Sequence, residues 1–190
     1  AKRRPAVLVN ASAIGFYGPR EDEELDESAP VGGDFLAKVC ADWEQEARNV
    51  PEGVRSVQLR IGIVLGEEGG SLAEMVKPFR LGAGGPIGSG RQWVSWIHRD
   101  DLVSLILFAI DRSELSGPVN GTAPTPVRNA ELSKAIGQVL HRPSWIPVPE
   151  FALRVALGEV ASMLVRGQRV VPKRALAAGF AFAHAEIGRA

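Results

Sequence analysis

Ser12 and Tyr17 are the residues best placed to do chemistry. They lie in the stretch Asn10-Ala11-Ser12-Ala13-Ile14-Gly15-Phe16-Tyr17-Gly18, directly after the apolar run Ala6-Val7-Leu8-Val9. A valine-rich run closed by small residues and glycines reads as a parallel strand buried on both faces. Open α/β sheets place their ligands at the carboxyl ends of such strands. A hydroxyl and a phenol are thus delivered to a ligand site, where each can donate a hydrogen bond. Tyr17 also has a plainer reading, as a turn residue packed under the strand. On the following helix, Asp34 reads as the N-cap. The helix pattern alone reads Lys38 as a surface lysine paired at i,i+4 with Asp34 and Asp42.

Other chemistries find less support. Pro19 to Glu27 crowds carboxylates without fixed spacing and reads as a solvated loop rather than a metal site. Asp100 and Asp101 read as helix capping and dipole compensation. His98, His141 and His184 are far apart, form no HExxH pattern and read as structural. Cys40 is the only cysteine, which leaves no intrachain disulfide and no cysteine-based zinc site. No metal is expected. Gly82 to Gly90 is glycine-rich but matches neither G-x-G-x-x-G nor a P-loop. It follows a helix and reads as a mobile loop leading into Gln92-Trp93-Val94-Ser95-Trp96-Ile97-His98.

The positioning elements follow in order. After Pro30-Val31-Gly32-Gly33, a helix runs from Asp34 to about Arg48, with Leu36, Val39, Cys40, Trp43 and Ala47 on one stripe. Val54 to Arg60 alternates as a second strand, followed by the apolar turn Ile61-Gly62-Ile63-Val64-Leu65-Gly66. Strand, helix and strand make one βαβ unit with the two strands parallel. Ser71 to Leu81 reads as an amphipathic helix. Another runs from Asp100 or Asp101 through Ile110, and Val119-Asn120-Gly121 is a short strand or turn. Asn129 caps a helix from Ala130 to Leu140, and Pro143, Pro147 and Pro149 mark an extended connector. Phe151 to Val165 reads as an apolar helix, and Val171-Pro172-Lys173-Arg174 leads into a last short helix ending at Gly179.

Lys plus Arg and Asp plus Glu both number 22, so the formal net charge is zero. No field of the kind that draws nucleic acid results. No apolar run approaches the ~20 residues of a membrane span, and no signal peptide is visible. A single cysteine suits a reducing cytoplasm.

Several segments together resemble one family. They are Ser12-Ala13-Ile14-Gly15-Phe16-Tyr17-Gly18, Arg60-Ile61-Gly62-Ile63-Val64-Leu65-Gly66, Gly84-Gly85-Pro86-Ile87-Gly88-Ser89-Gly90, Trp96-Ile97-His98-Arg99-Asp100-Asp101-Leu102, Asn120-Gly121-Thr122-Ala123-Pro124 and Gly167-Gln168-Arg169-Val170-Val171-Pro172. In this order they resemble the sugar-nucleotide-epimerase-like branch of the extended short-chain dehydrogenase/reductases, which has its own small C-terminal domain. The resemblance implies an α/β fold: the C-terminal part of a Rossmann-type parallel sheet over residues 1–81, then a small, mostly helical lobe over 82–190. The helix at 101–110 would pack back on the sheet. It implies NADP, or NAD, as cofactor. It also implies that the family's N-terminal half, with the main pyrophosphate site, lies outside this chain. The chain would then associate with that half, or with copies of itself.

The resemblance also assigns roles. Ser12 matches the strand-end serine that bonds a substrate oxygen, with Ala13 as the alternative register. Lys38 matches the lysine that holds the nicotinamide ribose. Val64 falls beside the nicotinamide, and Arg60 and Gly62 go with it to the cofactor side. Gly88, Gln92, Trp96 and His98 belong to the segment that touches substrate. The general acid/base tyrosine, four residues before the lysine, is replaced by Asp34. A carboxylate with an ordinary pKa near ~3.9 is ionised at neutral pH and does not imitate a phenol. Tyr17 is the remaining phenol. Two functions of different classes follow. One is an NADP-dependent oxidoreductase or epimerase-like enzyme acting on a small sugar-nucleotide-like or carbonyl substrate. The other is a non-catalytic dinucleotide-binding sensor or interaction protein.

Overall fold

The computed structural model describes residues 4–66, 69–149 and 166–189. Strand β1 (Val7–Ala13) leads through a 3-10 turn (Ile14–Tyr17) and a two-residue strand β2 (Glu24–Leu25) into helix α1 (Phe35–Arg48). Strand β3 (Arg55–Ile61) then pairs in parallel with β1, in register from Val7↔Arg55 to Ala13↔Ile61. After β4 (Ile63–Leu65) come helix α2 (Gly70–Arg80), β5 (Trp93–Val94), β6 (Trp96–His98) and helix α3 (Arg99–Asp111). Strand β7 (Gly117–Gly121) joins the main sheet on the far side of β3, also in parallel, giving the order β1-β3-β7. Strand β8 (Val127–Arg128), helix α4 (Asn129–Val139), strand β9 (Arg169–Val170), helix α5 (Lys173–Ala177) and a 3-10 turn (Ile187–Arg189) complete the described elements. The expected boundary near residue 82 therefore does not divide the sheet, because β7 lies beside β3. The apolar helix expected at 151–165 falls outside the described residues.

Alternation along β3 sends its side chains to two faces. Val57 and Leu59 join Ile97, Leu105, Ala109 and Val119 in an apolar core under α3. Each buried valine, leucine or isoleucine among them contributes about 1.5–3 kcal/mol. Ser56, Gln58 and Arg60 point to α1: Ser56 Oγ donates to the Ala47 carbonyl and accepts from Gln58 Nε2, Arg60 binds Glu44, and Gln58 Oε1 is buried without a partner among the described residues.

Helix α1 starts as expected, with Asp34 Oδ1 accepting the Ala37 N–H at 2.8 Å. Its buried face keeps Cys40 and Ala47 of the expected stripe, with Leu36 and Val39 half-buried, but not Trp43. Ala37, Cys40, Glu44 and Ala47 face inward, while Trp43 is 59% exposed. The polar side chains beneath α1 call for a carboxylate, so the helix turns Glu44 to the sheet and Trp43 to solvent.

A second core forms between α2, α4 and the parallel pair β4–β6, around Leu65, Phe79, Trp96, Leu132 and Ile136. The glycine run is packed rather than mobile. Gly84 and Gly85 are buried, with the Phe79 ring and the Ile146 backbone where a Cβ would stand. Asn129 is the first residue of α4, and its Oδ1 accepts the Ile87 N–H at 2.7 Å, pinning that loop.

Helix α3 begins at Arg99, capped by His98 rather than by an aspartate: His98 Nδ1 accepts the Asp100 N–H at 3.2 Å. Asp101 is only 2% exposed and accepts the N–H groups of Ala183 and His184. The acidic loop is likewise not simply solvated. Strand β2 pairs in parallel with β9. Buried Glu27 accepts the Asn120 N–H at 3.0 Å and the Arg174 N–H, and its burial pushes its carboxyl pKa up. Asp26 binds Lys173 at 2.8 Å and also accepts from Ser28, which lowers its pKa to about 2. Among the described residues no helix is long and apolar enough to cross a membrane.

Candidate functional site: an apolar cleft joined to an arginine-lined one

Strands β1 and β3 end side by side at Ala13 and Ile61. Beyond them opens a cleft of about 450 Å³, walled by Ala13, Ile14 and Gly15 from the 3-10 turn, Leu36 and Cys40 from α1, and Ile61, Gly62 and Ile63 from the β3–β4 link. Gly62 has no room for a side chain, since a Cβ would meet the Ser95 carbonyl oxygen at 2.5 Å and the Thr122 methyl at 2.9 Å. Its N–H donates to the Gly121 carbonyl, and the next N–H, of Ile63, to Ser95. The cleft floor is therefore stitched to both the main sheet and the β4–β6 pair.

A second cleft, of about 670 Å³, adjoins the first along Pro19, Trp93, Arg166 and Gly167. It is polar, with Arg91, Arg128, Gln92 and Ser89 on its walls beside Glu21 and Asp22. Trp93 stands at the junction. Its indole N–H donates to Asp22 Oδ1 at 2.8 Å, and the Arg128 guanidinium lies over its ring at 3.9 Å. Arg128 also binds Asp22, and the hydrogen bonds from Trp93 and Arg128 hold the Asp22 pKa below the usual carboxylate value. Arg91 keeps its side chain exposed.

The expected site residues divide between these clefts and the interior. Ser12 is buried, and its Oγ donates to Glu44 Oε1 at 3.0 Å, on the α1 side of the sheet. Its neighbour Ala13 faces the cleft instead. Tyr17 is fully buried. Its phenol donates to Asn120 Oδ1 at 2.7 Å and accepts from Arg60 Nη1 at 2.9 Å, and burial raises its pKa. It belongs to the interior, as the plainer reading had it, and not to a proton relay. Arg60 lines neither cleft. Its guanidinium forks onto both Glu44 oxygens, at 2.7 and 2.9 Å, and lies 3.5 Å over the Phe16 ring.

Lys38 is exposed and lines neither cleft. Two residues make about 200° of helical turn, so Lys38 lies across the helix axis from both Leu36 and Cys40. Val64 turns away from Ile63 and Leu65 and packs on the core under α3. Gly62 does line the apolar cleft and Gln92 the polar one. Gly88 makes a turn at φ 56°, its N–H donating to the Val148 carbonyl, while Ser89 beside it faces the cleft. Trp96 is fully buried, its indole N–H donating to the Thr125 carbonyl. His98 caps α3 and stacks on His184.

Glu44, Asn120 and Glu27 were missed as partners. The signal lay in the register: Ser12 and Arg60 are parallel neighbours and point the same way, and a strand arginine turned inward needs a carboxylate opposite it. Chemically, the apolar cleft presents flat walls with little proton-transfer capacity. The Cys40 thiol is buried, which raises its pKa and keeps it protonated. Ser95 Oγ is committed to Gln168 and Val170. Asp34 at the rim is committed to its cap. The cleft, with Gly62 in its lining, lies at the carboxyl ends of β1 and β3, where open α/β sheets place their ligands. No glycine turn able to cradle a pyrophosphate is found among the described residues.

Comparison with known proteins agrees with this geometry. The NAD dependent epimerase/dehydratase family profile matches residues 1–120, and a domain of unknown function, DUF1731, matches 148–190. The chain is 52% identical over 182 residues to the "Epimerase family protein SDR39U1 homolog, chloroplastic" of Arabidopsis thaliana, covering 96% of this chain and 52% of the relative. It is 44% identical over 188 residues to the epimerase family protein YfhF of Bacillus subtilis, covering 98% of this chain and 62% of that protein. The crystal structure of human epimerase family protein SDR39U1 (isoform 2) with NADPH superposes with a TM-score of 0.95 at 38% identity, covering all of this chain and 65% of that one. The chain thus spans between about half and two thirds of the length of these relatives. It belongs to the NAD-dependent epimerase/dehydratase family, the epimerase-like branch of the extended short-chain dehydrogenase/reductases, and has their Rossmann-like α/β fold.

Proposed function

We propose that this chain is the nicotinamide- and substrate-side part of an NADP(H)-dependent oxidoreductase or epimerase-like enzyme acting on a sugar-nucleotide-like or carbonyl substrate. The observation that carries this reading is the junction at Trp93 of an apolar slot, at the carboxyl ends of β1 and β3, with an arginine-lined cleft. A bound dinucleotide supplies or accepts hydride. Ala13, Gly15, Ile61 and Gly62 flank its ring and exclude water, and Arg91 and Gln92 hold the anionic end of the substrate. NADPH in the human structure supports the choice of dinucleotide. The pyrophosphate site lies in an N-terminal segment that pairs with the open edge of β1. The single cysteine suits a reducing compartment such as the cytoplasm; the Arabidopsis relative is described as chloroplastic.

A second reading has its own support. Ser12 and Tyr17 are locked in a buried network, and Asp34 caps a helix. With no proton donor poised in the slot among the described residues, the protein would bind the dinucleotide as a sensor or interaction module. The full-length protein distinguishes the two. NADPH binding followed by fluorescence should weaken by about tenfold or more in Ala13→Leu, which fills the slot. Oxidation of NADPH by carbonyl substrates, or conversion of sugar nucleotides by the NADP⁺-loaded protein with no net change in the cofactor, supports the enzyme. Tight NADPH binding with no turnover across that panel supports the sensor. Unchanged NADPH affinity in Ala13→Leu removes the slot from both readings.

A further inference from the structure

We infer that His98, Asp100 and His184 form a binding site for one divalent transition-metal ion of the zinc type, outside both clefts. Fold topology brings together residues that the sequence keeps far apart. The His98 and His184 rings stack with centroids 3.8 Å apart and planes inclined at 30°. One donor atom from each of the three side chains lies within 4.8 Å of the others. A tetrahedral zinc ion with bonds of about 2.0–2.1 Å holds its donors about 3.3 Å apart. Closing the set therefore requires the two imidazoles to rotate out of their stack until their ring nitrogens converge on one point, over donor separations no greater than 4.8 Å.

The site is held in place by its neighbours. Arg99 Nε donates to Asp100 Oδ1 at 3.1 Å, leaving Oδ2 turned toward His98, 3.9 Å from Nδ1. Buried Asp101 binds the backbone N–H groups of Ala183 and His184, at 2.9 and 2.8 Å, and so fixes the second imidazole beside the first. Such outer contacts orient metal ligands and tune affinity. Coordination through His98 Nδ1 would release the Asp100 N–H, in the exposed first turn of α3, to water. Two imidazoles and one carboxylate select zinc, cobalt, nickel or copper over magnesium and calcium, which prefer all-oxygen sets. Three protein ligands leave one position for water. The ion would staple the C-terminal segment to the start of α3.

The test uses the full-length protein free of any affinity tag. Calorimetric titration with Zn²⁺, visible absorption with Co²⁺ and thermal unfolding with and without Zn²⁺ are measured for the wild type and three variants. His184→Phe keeps a ring against His98 but removes the donor, Asp100→Asn removes the charged oxygen, and His141→Ala is the control. The wild type should bind one equivalent, show cobalt d–d bands and gain thermal stability. His184→Phe and Asp100→Asn should each weaken binding by about tenfold or more, and His141→Ala should leave it unchanged. If His184→Phe fails to fold, Asp100→Asn decides. No binding by the wild type, or binding in both ligand variants as tight as in the wild type, overturns the site.

Discussion

Arg60 holds a guanidinium at 2% exposure between two strands and a helix. Such a charge is tolerable only because Glu44 meets it with both oxygens and Tyr17 takes a third N–H. Removing one partner leaves the other charge buried and unpaired, at a cost of about 3–5 kcal/mol. Glu44→Ala should therefore lower stability by that amount in urea unfolding. Tyr17→Phe should cost about 1–3 kcal/mol, because it orphans one donor and one acceptor. Per folded molecule of the full-length protein, Tyr17→Phe should leave NADPH binding and any turnover unchanged. Loss of turnover without loss of stability would return Tyr17 to the proton relay. At this scale the residue types were legible and their directions were not. Ser12, Tyr17 and Lys38 were picked out for what their side chains can do. A one-residue step along β1 decides whether Ser12 or Ala13 meets the cleft, and two residues along α1 carry Lys38 to the other side.

Elements show a different balance. Strand β1, helix α1, strand β3 and the helices on the 3.6-residue period were legible because apolar spacing is local. The acidic loop was not, since the partners of β2 lie far along the chain. That clasp makes a pH prediction. The Asp26 carboxyl is held at about 2 by Lys173 and Ser28. Its folded pKa is depressed, so its contribution is fully present above the unfolded value of about 3.9 and is lost as pH falls toward 2. Glu27 acts in the opposite sense. Its pKa is raised by burial, so its ionisation weighs against the fold as pH rises through the carboxylate range. Acid titration of stability should therefore be shallower below about pH 4 in Asp26→Asn than in the wild type. Identical slopes would mean that the Lys173 pair contributes nothing.

The whole molecule has an open side. Strand β1 pairs only with β3 among the described residues, and Leu8 on it is exposed. Helix α3, which lies against β1, shows Val103, Leu107 and Ile110 to solvent at i, i+4 and i+7. An unpaired strand edge beside an apolar helix face invites association. A dinucleotide held only at its nicotinamide end must also offset several kcal/mol of lost translational and rotational freedom. The chain of residues 1–190, made alone, should self-associate on size exclusion and bind NADPH weakly. A monodisperse monomer with a micromolar Kd would show that this chain needs neither an N-terminal half nor a second copy.

The clasp between the acidic loop and the C-terminal segment also bears on the order of folding. Asp26 and Lys173, like Glu27 and Arg174, meet across 147 positions of chain. Closing so long a loop is entropically costly and gains contacts only at the end. The β1–α1–β3 unit closes much shorter loops and can form first, while Asn120 still lacks its carbonyl partner at Val171. On a ribosome the clasp must wait until residues 169–174 have emerged. Until then Leu25 and Tyr17, both fully buried in the folded protein, lack the Val170 packing that completes their core, and their apolar surface stays exposed on the nascent chain.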